Sequence, residues 1–184
     1  MNEIEKDLWK SGSLYLREEM WNDSTILVAS FLDYHRNTFS LDYPTATDLP
    51  AVSLTIDTNG GSTLGALAIG AMIRSYPKPV KTVALGRAFS AGAMILAAGT
   101  PGHRYAYKWT EIMVHDFNYN TGGFKDSKHL ADWSKAQQAM VQHQRQFWKQ
   151  MTNASEQAID LFTGRELYLT AEEAKTCGII DHVL

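Results

Sequence analysis

The amino-acid sequence predicts an α/β fold, a layered β-sheet with helices packed against it, in a single domain over residues 1–184. Two observations carry this. Apolar strand-length runs at 52–56, 80–85 and 111–117 alternate with stretches at helical spacing, 64–76 and 91–98. Turn-forming residues separate them, with Asn59-Gly60-Gly61 after the first strand and Pro77 and Pro79 before the second. At 184 residues and 45% hydrophobic, the chain can bury one substantial core.

Taken in order, Leu14-Tyr15-Leu16 is a short strand. Asn22, Asp23 or Ser24 caps a helix running to about Tyr34, whose buried side carries Val28, Phe31 and Leu32. Residues 35–50, polar and with two prolines, read as an exposed loop. Strand 52–56 leads to helix 64–76, with Leu64, Leu67, Ala68, Ala71 and Met72 at helical spacing. Strand 80–85 is followed by a helix at 91–98 that has no charged face and should be buried. After strand 111–117 comes a polar, glycine-rich loop, then a long helix from about Asp126 to Thr152. Its stripe of Leu130, Trp133, Ala136, Met140, Phe147 and Met151 spans ~40 Å, more than this core needs, so part of it should meet another subunit. Trp133 and Trp148 read as packing residues, and Cys177 as a small packed residue in a helix over 170–178.

Ser90 stands where strand 80–85 gives way to the buried helix. Backbone N–H groups and the dipole at such a helix start favour negative charge, so a tetrahedral oxyanion formed there would be stabilised. The plainer role for an isolated serine at this place is a helix cap. Its companions point further. The Gly60-Gly61 pair lets a backbone approach a bound chain with bare N–H groups, and His115 ends the strand at 111–114. Three features at the ends of three successive strands converge in such a sheet. A nucleophilic Ser90 needs a base, and imidazole exchanges protons near neutral pH, which makes His115 the candidate. The base in turn needs an acid. Asp116 should point to the opposite face from His115, and patterning leaves Asp57, Asp181 and Glu166 unranked.

Residues 86–105, 111–115 and 165–181 together resemble the proteolytic subunit of the Clp protease, a serine peptidase with the layered Clp-protease/crotonase-like fold. The likeness runs from about Leu14 to the C-terminus, and the spacing from Gly61 to Ser90 and on to His115 fits without gaps. The resemblance implies that Ser90 is the nucleophile, His115 the general base and Glu166 the third triad member, with the backbone N–H groups of Gly61 and Ala91 as the oxyanion hole. It also implies a protruding handle over about 118–152, a homo-oligomeric ring or stacked rings enclosing the sites, polypeptide substrates fed by an ATP-driven unfoldase, and no cofactor of its own.

The chain departs from that family's pattern at several places. Glu166 occupies the position of an aspartate; Thr58-Asn59-Gly60-Gly61 replaces Ser-Pro-Gly-Gly; and Ala91 replaces a methionine. Two extra residues lie between His115 and Glu166, the linker at 35–50 is lengthened, and the chain before Leu14 is short. Glu166 and Asn59 keep a second reading open, a weakly catalytic or inactive subunit with an assembly or regulatory role. A third, an acyl-CoA enzyme of the crotonase type, also uses a backbone N–H pair but does not require Ser90 and His115 at this spacing.

Composition excludes several classes. No phosphate-binding Gly-x-x-x-x-Gly-Lys-Ser/Thr loop is present, so ATP dependence would reside in a partner. A net charge of −3 without a basic stripe gives no expectation of nucleic acid. No apolar run reaches the ~18 residues of a membrane span. The acidic start lacks a secretory signal pattern and one cysteine rules out an intrachain disulfide, so the expected location is cytoplasmic. His35, His103, His129, His143 and His182 show no metal-ligand spacing and read as surface residues.

Overall fold

Ten residues, Val80–Phe89, form the strand on which the rest of the sheet is built. The computed structural model describes residues 3–17, 19, 22–42, 51–117 and 126–184. In chain order the strands are β1 (Ser13–Leu16), β2 (Val52–Thr58), β3 (Val80–Phe89), β4 (Arg104–Ala106), β5 (Glu111–Val114), β6 (Leu167–Thr170) and β7 (His182–Val183). The helices are α1 (Glu3–Lys10), α2 (Asn22–Asp42), α3 (Thr63–Ser75), α4 (Ala91–Ala98), α5 (Ser127–Met151), α6 (Glu156–Phe162) and α7 (Ala171–Thr176).

One edge of β3 pairs parallel with β2, which pairs with β1. The other edge is shared. Thr82, Val83 and Ala84 pair with β4, then Arg87, Ala88 and Phe89 pair with β5, so the sheet forks. One branch ends on β7 and the other on β6, the only antiparallel partner among the described strands. The fork coincides with a slip in the β2–β3 ladder between the Ile56–Ala84 and Thr58–Ala88 pairs. Gly86 lies in that slip, where a Cβ would come within 2.8 Å of Asp57 Oδ1. The Thr110 hydroxyl donates to the Ala84 carbonyl at 3.0 Å, satisfying the backbone where β4 and β5 part. Such a bulge bends a strand and raises its local twist.

Every residue of α4 is buried, as its lack of a charged face requires. It lies against β2 and β3 and packs on α3, whose buried side carries Ala66, Ile69 and Ile73. Trp148, Phe31, Phe162, Leu54, Ile56 and Met94 are among the large fully buried side chains of the same core. Cys177 packs against it half-buried, and burial, then the Glu173 carboxylate, pushes its thiol up, which suits a packing role. Among the described residues no helix is long and apolar enough to cross a membrane.

The structure corrects four expectations. Helix α2 continues through 35–42, where a loop was expected, because no Gly or Pro interrupts the chain before Pro44; residues 43–50 of the expected loop lie outside the described residues. His35 is therefore fully buried, not on the surface, with its Nε2–H donating to the Trp9 carbonyl at 2.7 Å and tying α1 to α2. Strand β3 runs on to Phe89, because the glycine bulge lets the ladder resume beyond Leu85, whereas β5 stops at Val114, short of Phe117. On α5 only the last two turns are buried, at Gln144, Phe147, Trp148 and Met151, while Leu130 and Ala136 are exposed, in line with a helix longer than this core needs. The helix itself begins as expected, with the Asp126 carboxylate accepting the His129 N–H at 2.8 Å, and the expected loop at 118–124 lies outside the described residues.

A buried ion pair closes the C-terminal end onto this frame. Arg104 is 1% exposed, and its guanidinium donates from Nε and Nη2 to the two oxygens of Asp181, with Nη1 donating to the Met151 carbonyl. Burial pushes the Asp181 carboxyl up, but the guanidinium and the N–H groups of Arg104 and Gly102 outweigh it and hold the group below the usual carboxylate range. A depressed carboxyl contributes stability that is fully present above its unfolded value, near 3.9, and is lost as pH falls through the folded value. Asp181→Asn should destabilise the fold by ~3–5 kcal/mol at neutral pH and flatten the acid limb of a stability–pH profile, measured by urea unfolding. An unchanged profile would remove the pair from this role.

Candidate active site

Strand β3 ends by delivering Ser90 in a rare conformation. Ser90 has φ 53° and ψ −117°, and it is the only non-glycine residue at positive φ among the described residues. This geometry costs a non-glycine residue about 1–3 kcal/mol and persists only where its surroundings enforce it. Here the Ser90 N–H donates to the Met113 carbonyl at 2.7 Å, and the Ser90 carbonyl accepts the Met94 N–H at 3.2 Å, opening α4. The turn is thus fastened to β5 on one side and to a fully buried helix on the other.

The Ser90 hydroxyl is not used as a helix cap, because its side chain makes no capping hydrogen bond. It faces the imidazole of His115, with Oγ 2.7 Å from Nε2. His115 is half-buried and lies one residue beyond β5, whose pairing with β3 and bond to Ser90 set the distance between the two residues. A hydroxyl in hydrogen-bond contact with an imidazole nitrogen can pass its proton to that nitrogen as the oxygen attacks an electrophile.

The four acids considered from sequence are placed quite differently. Asp181 is committed to Arg104, and Asp57 Oδ1 accepts the Arg87 backbone N–H at 3.1 Å with Arg87 Nε 3.7 Å away. Asp116 makes no hydrogen bond to His115. Glu166 immediately precedes β6, which pairs antiparallel with β5 down to Val114 opposite Leu167. The ladder ends at that pair; continued by one step, its register would bring Glu166 opposite His115. The Glu166 side chain is exposed, and no hydrogen bond or ion pair joins it to His115.

The loop between β2 and α3 lies against the Ser90 turn. Gly60 is at φ 100° and Gly61 at φ 147°. A Cβ at Gly60 would fall 2.6 Å from the Phe89 carbonyl oxygen, 2.7 Å from Ser90 Cβ and 3.2 Å from the Ala91 nitrogen, so only glycine fits this approach. Ala91 opens α4, and its N–H has no intrahelical acceptor. Two side chains hold the loop where the resembling family has a proline. The Thr58 hydroxyl accepts the Gly60 N–H at 3.1 Å, and Arg87 Nη1 donates to Asn59 Oδ1 at 3.0 Å.

Arg87 and Gln144 were missed from sequence. Gln144 Nε2 donates to the His115 carbonyl at 2.8 Å and its Oε1 accepts the Phe117 N–H at 2.9 Å. A polar residue in register with the apolar positions Phe147, Trp148 and Met151 was the available signal. Among the described residues, no group of three His, Cys, Asp or Glu side chains is placed to hold a metal ion.

Comparison with known proteins identifies the family. Residues 44–184 match the family model described as Clp protease. The chain is 32% identical over 136 residues to the ATP-dependent Clp protease proteolytic subunit 2 of Corynebacterium efficiens, covering 72% of this chain and 66% of that protein. It is 34% identical to the subunit of the same name from Thermobifida fusca, over 72% of this chain and 64% of that one. The corresponding Corynebacterium jeikeium protein is 35% identical, over 72% and 63%. The matches thus span slightly less than two thirds of these relatives' length.

The close approach at Gly60 has a measurable consequence. Gly60→Ala should push the loop off the Ser90 turn and lower stability by ~1–3 kcal/mol in chemical denaturation, from backbone strain and the clash together. A variant as stable as the parent would show that the loop does not pack in this way.

Proposed function

The chain belongs to the Clp protease family, and from that premise we propose that it is a serine peptidase subunit, with Ser90 as nucleophile and His115 as general base. The observation that carries the proposal is the 2.7 Å contact between Ser90 Oγ and His115 Nε2 on a strained strand-to-helix turn. Ser90 Oγ attacks the carbonyl carbon of a peptide bond while Nε2 takes its proton. The tetrahedral oxyanion is held by the N–H groups of Gly61 and Ala91, and collapse expels the amine, which receives the proton from His115. Water, deprotonated by the same imidazole, then hydrolyses the acyl-enzyme and returns Ser90. No step calls for a cofactor.

Glu166 is the acid in this proposal. Its carboxylate is not joined to His115 in the structure; what supports the assignment is that both residues lie one step past the last β5–β6 pair, Val114–Leu167. The same reading includes a homo-oligomeric ring or stacked rings, a handle built on α5, polypeptide substrates, an ATP-driven unfoldase as partner and a cytoplasmic location. The single cysteine suits a reducing compartment. The unengaged Glu166 is the specific observation that favours the second reading, a weakly catalytic subunit with an assembly role. The crotonase-type reading gains nothing from the Ser90–His115 contact.

Two experiments separate these. A fluorophosphonate probe should label the protein at Ser90, and Ser90→Ala should abolish both labelling and hydrolysis of a short fluorogenic peptide; absence of labelling in the folded parent would favour the assembly role. Glu166→Gln should lower the acylation rate on the order of 10²–10⁴-fold with native mass unchanged. Full activity in that variant would strike Glu166 from the triad.

A further inference from the structure

Helix α5 carries four buried residues, Gln144, Phe147, Trp148 and Met151, spaced i, i+3, i+4 and i+7 on one face. Three are apolar, and the fourth is an amide that is only 4% exposed. A buried amide without partners is costly, so such a residue needs a reason in its hydrogen bonds. Both ends of this one are used. Nε2 donates to the His115 carbonyl at 2.8 Å, and Oε1 accepts the Phe117 N–H at 2.9 Å.

This pairing matters because of where it occurs. The β3–β5 ladder has run out at Met113 and the β5–β6 ladder at Val114, so His115 stands just beyond the regular hydrogen bonding of the sheet. The Gln144 amide presents one donor and one acceptor to residues 115 and 117, as a neighbouring strand would, and continues the ladder past its end. Ser90 is fastened at Met113, and His115 must be held separately if its ring is to stay 2.7 Å from Oγ. We propose that Gln144 is a positioning residue, acting through the His115 backbone to hold the imidazole against Ser90. The proposal rests on the peptidase reading above for its kinetic consequence but not for its structural one.

The test uses Gln144→Met, which keeps the side-chain length and apolar fit while losing both hydrogen bonds. With folding confirmed by native mass and thermal melting, kcat on a short peptide should fall on the order of 10- to 100-fold with KM within twofold. In parallel, hydrogen exchange at the imidazole Cε1 of each histidine, read by mass spectrometry, should change at least twofold at His115 and stay constant at His103 and His182. If Gln144→Met does not fold, Gln144→Glu replaces it. That variant keeps the acceptor for Phe117 but sets a carboxylate oxygen against the His115 carbonyl, and it should show the same pair of changes. A folded variant with parental kcat overturns the proposal. If the parent shows no hydrolysis at all, the peptidase reading fails instead, and the His115 exchange rate alone decides: altered supports positioning, unaltered overturns it.

Discussion

One strained residue organises this molecule. Ser90 has to leave β3 at positive φ, which a side-chain-bearing residue adopts only under constraint, and the surrounding structure supplies that constraint from three directions. Its N–H is bonded to Met113, its carbonyl starts α4, and Gly60 presses against its Cβ with no side chain of its own. Relaxing the turn would cost all three at once. The burial of α4 is the largest of them, since an eight-residue helix with every residue in the core cannot shift without exposing apolar surface.

The same constraint explains the forked sheet. An unbroken β3 pairing evenly with one neighbour on each side would carry Ser90 straight on. The slip around Gly86 bends the strand, and the divided edge lets β5 pair with its second half alone. His115 follows directly on the end of β5, and Glu166 directly precedes β6, its antiparallel partner. Ser90, His115 and the start of β6 therefore lie along one branch of the fork, while β4, β7 and the Arg104–Asp181 pair stabilise the other.

Much of this was legible from local pattern. The central strands, the buried helix and helix α3 follow from apolar period and from punctuation by Gly and Pro. Ser90, His115 and the glycine pair stood out because each ends an element in a sheet where such ends converge. The continuation of α2 was missed because polar residues at 35–42 match the composition of a loop as well as that of a helix. What distinguishes them is the burial of His35 against Trp9 and Phe31, partners remote in sequence or on the same face only once the helix has formed. On α5 the period was visible, but which of its turns would be covered was not.

By itself the amino-acid order determined the alternation of strands and helices, the rigid apolar helix behind Ser90 and the residue types able to exchange a proton there. These are properties of spacing and side-chain chemistry, expressed within a few turns of chain. Only the tertiary structure decided that the serine hydroxyl turns to an imidazole instead of capping its helix. It also decided that Asp57 and Asp181 are spent on arginines, and that an amide from α5 holds the histidine backbone. Each of these is a choice among partners of comparable chemistry, and distance settles it, because hydrogen bonds and ion pairs weaken within an ångström or two of their optimum.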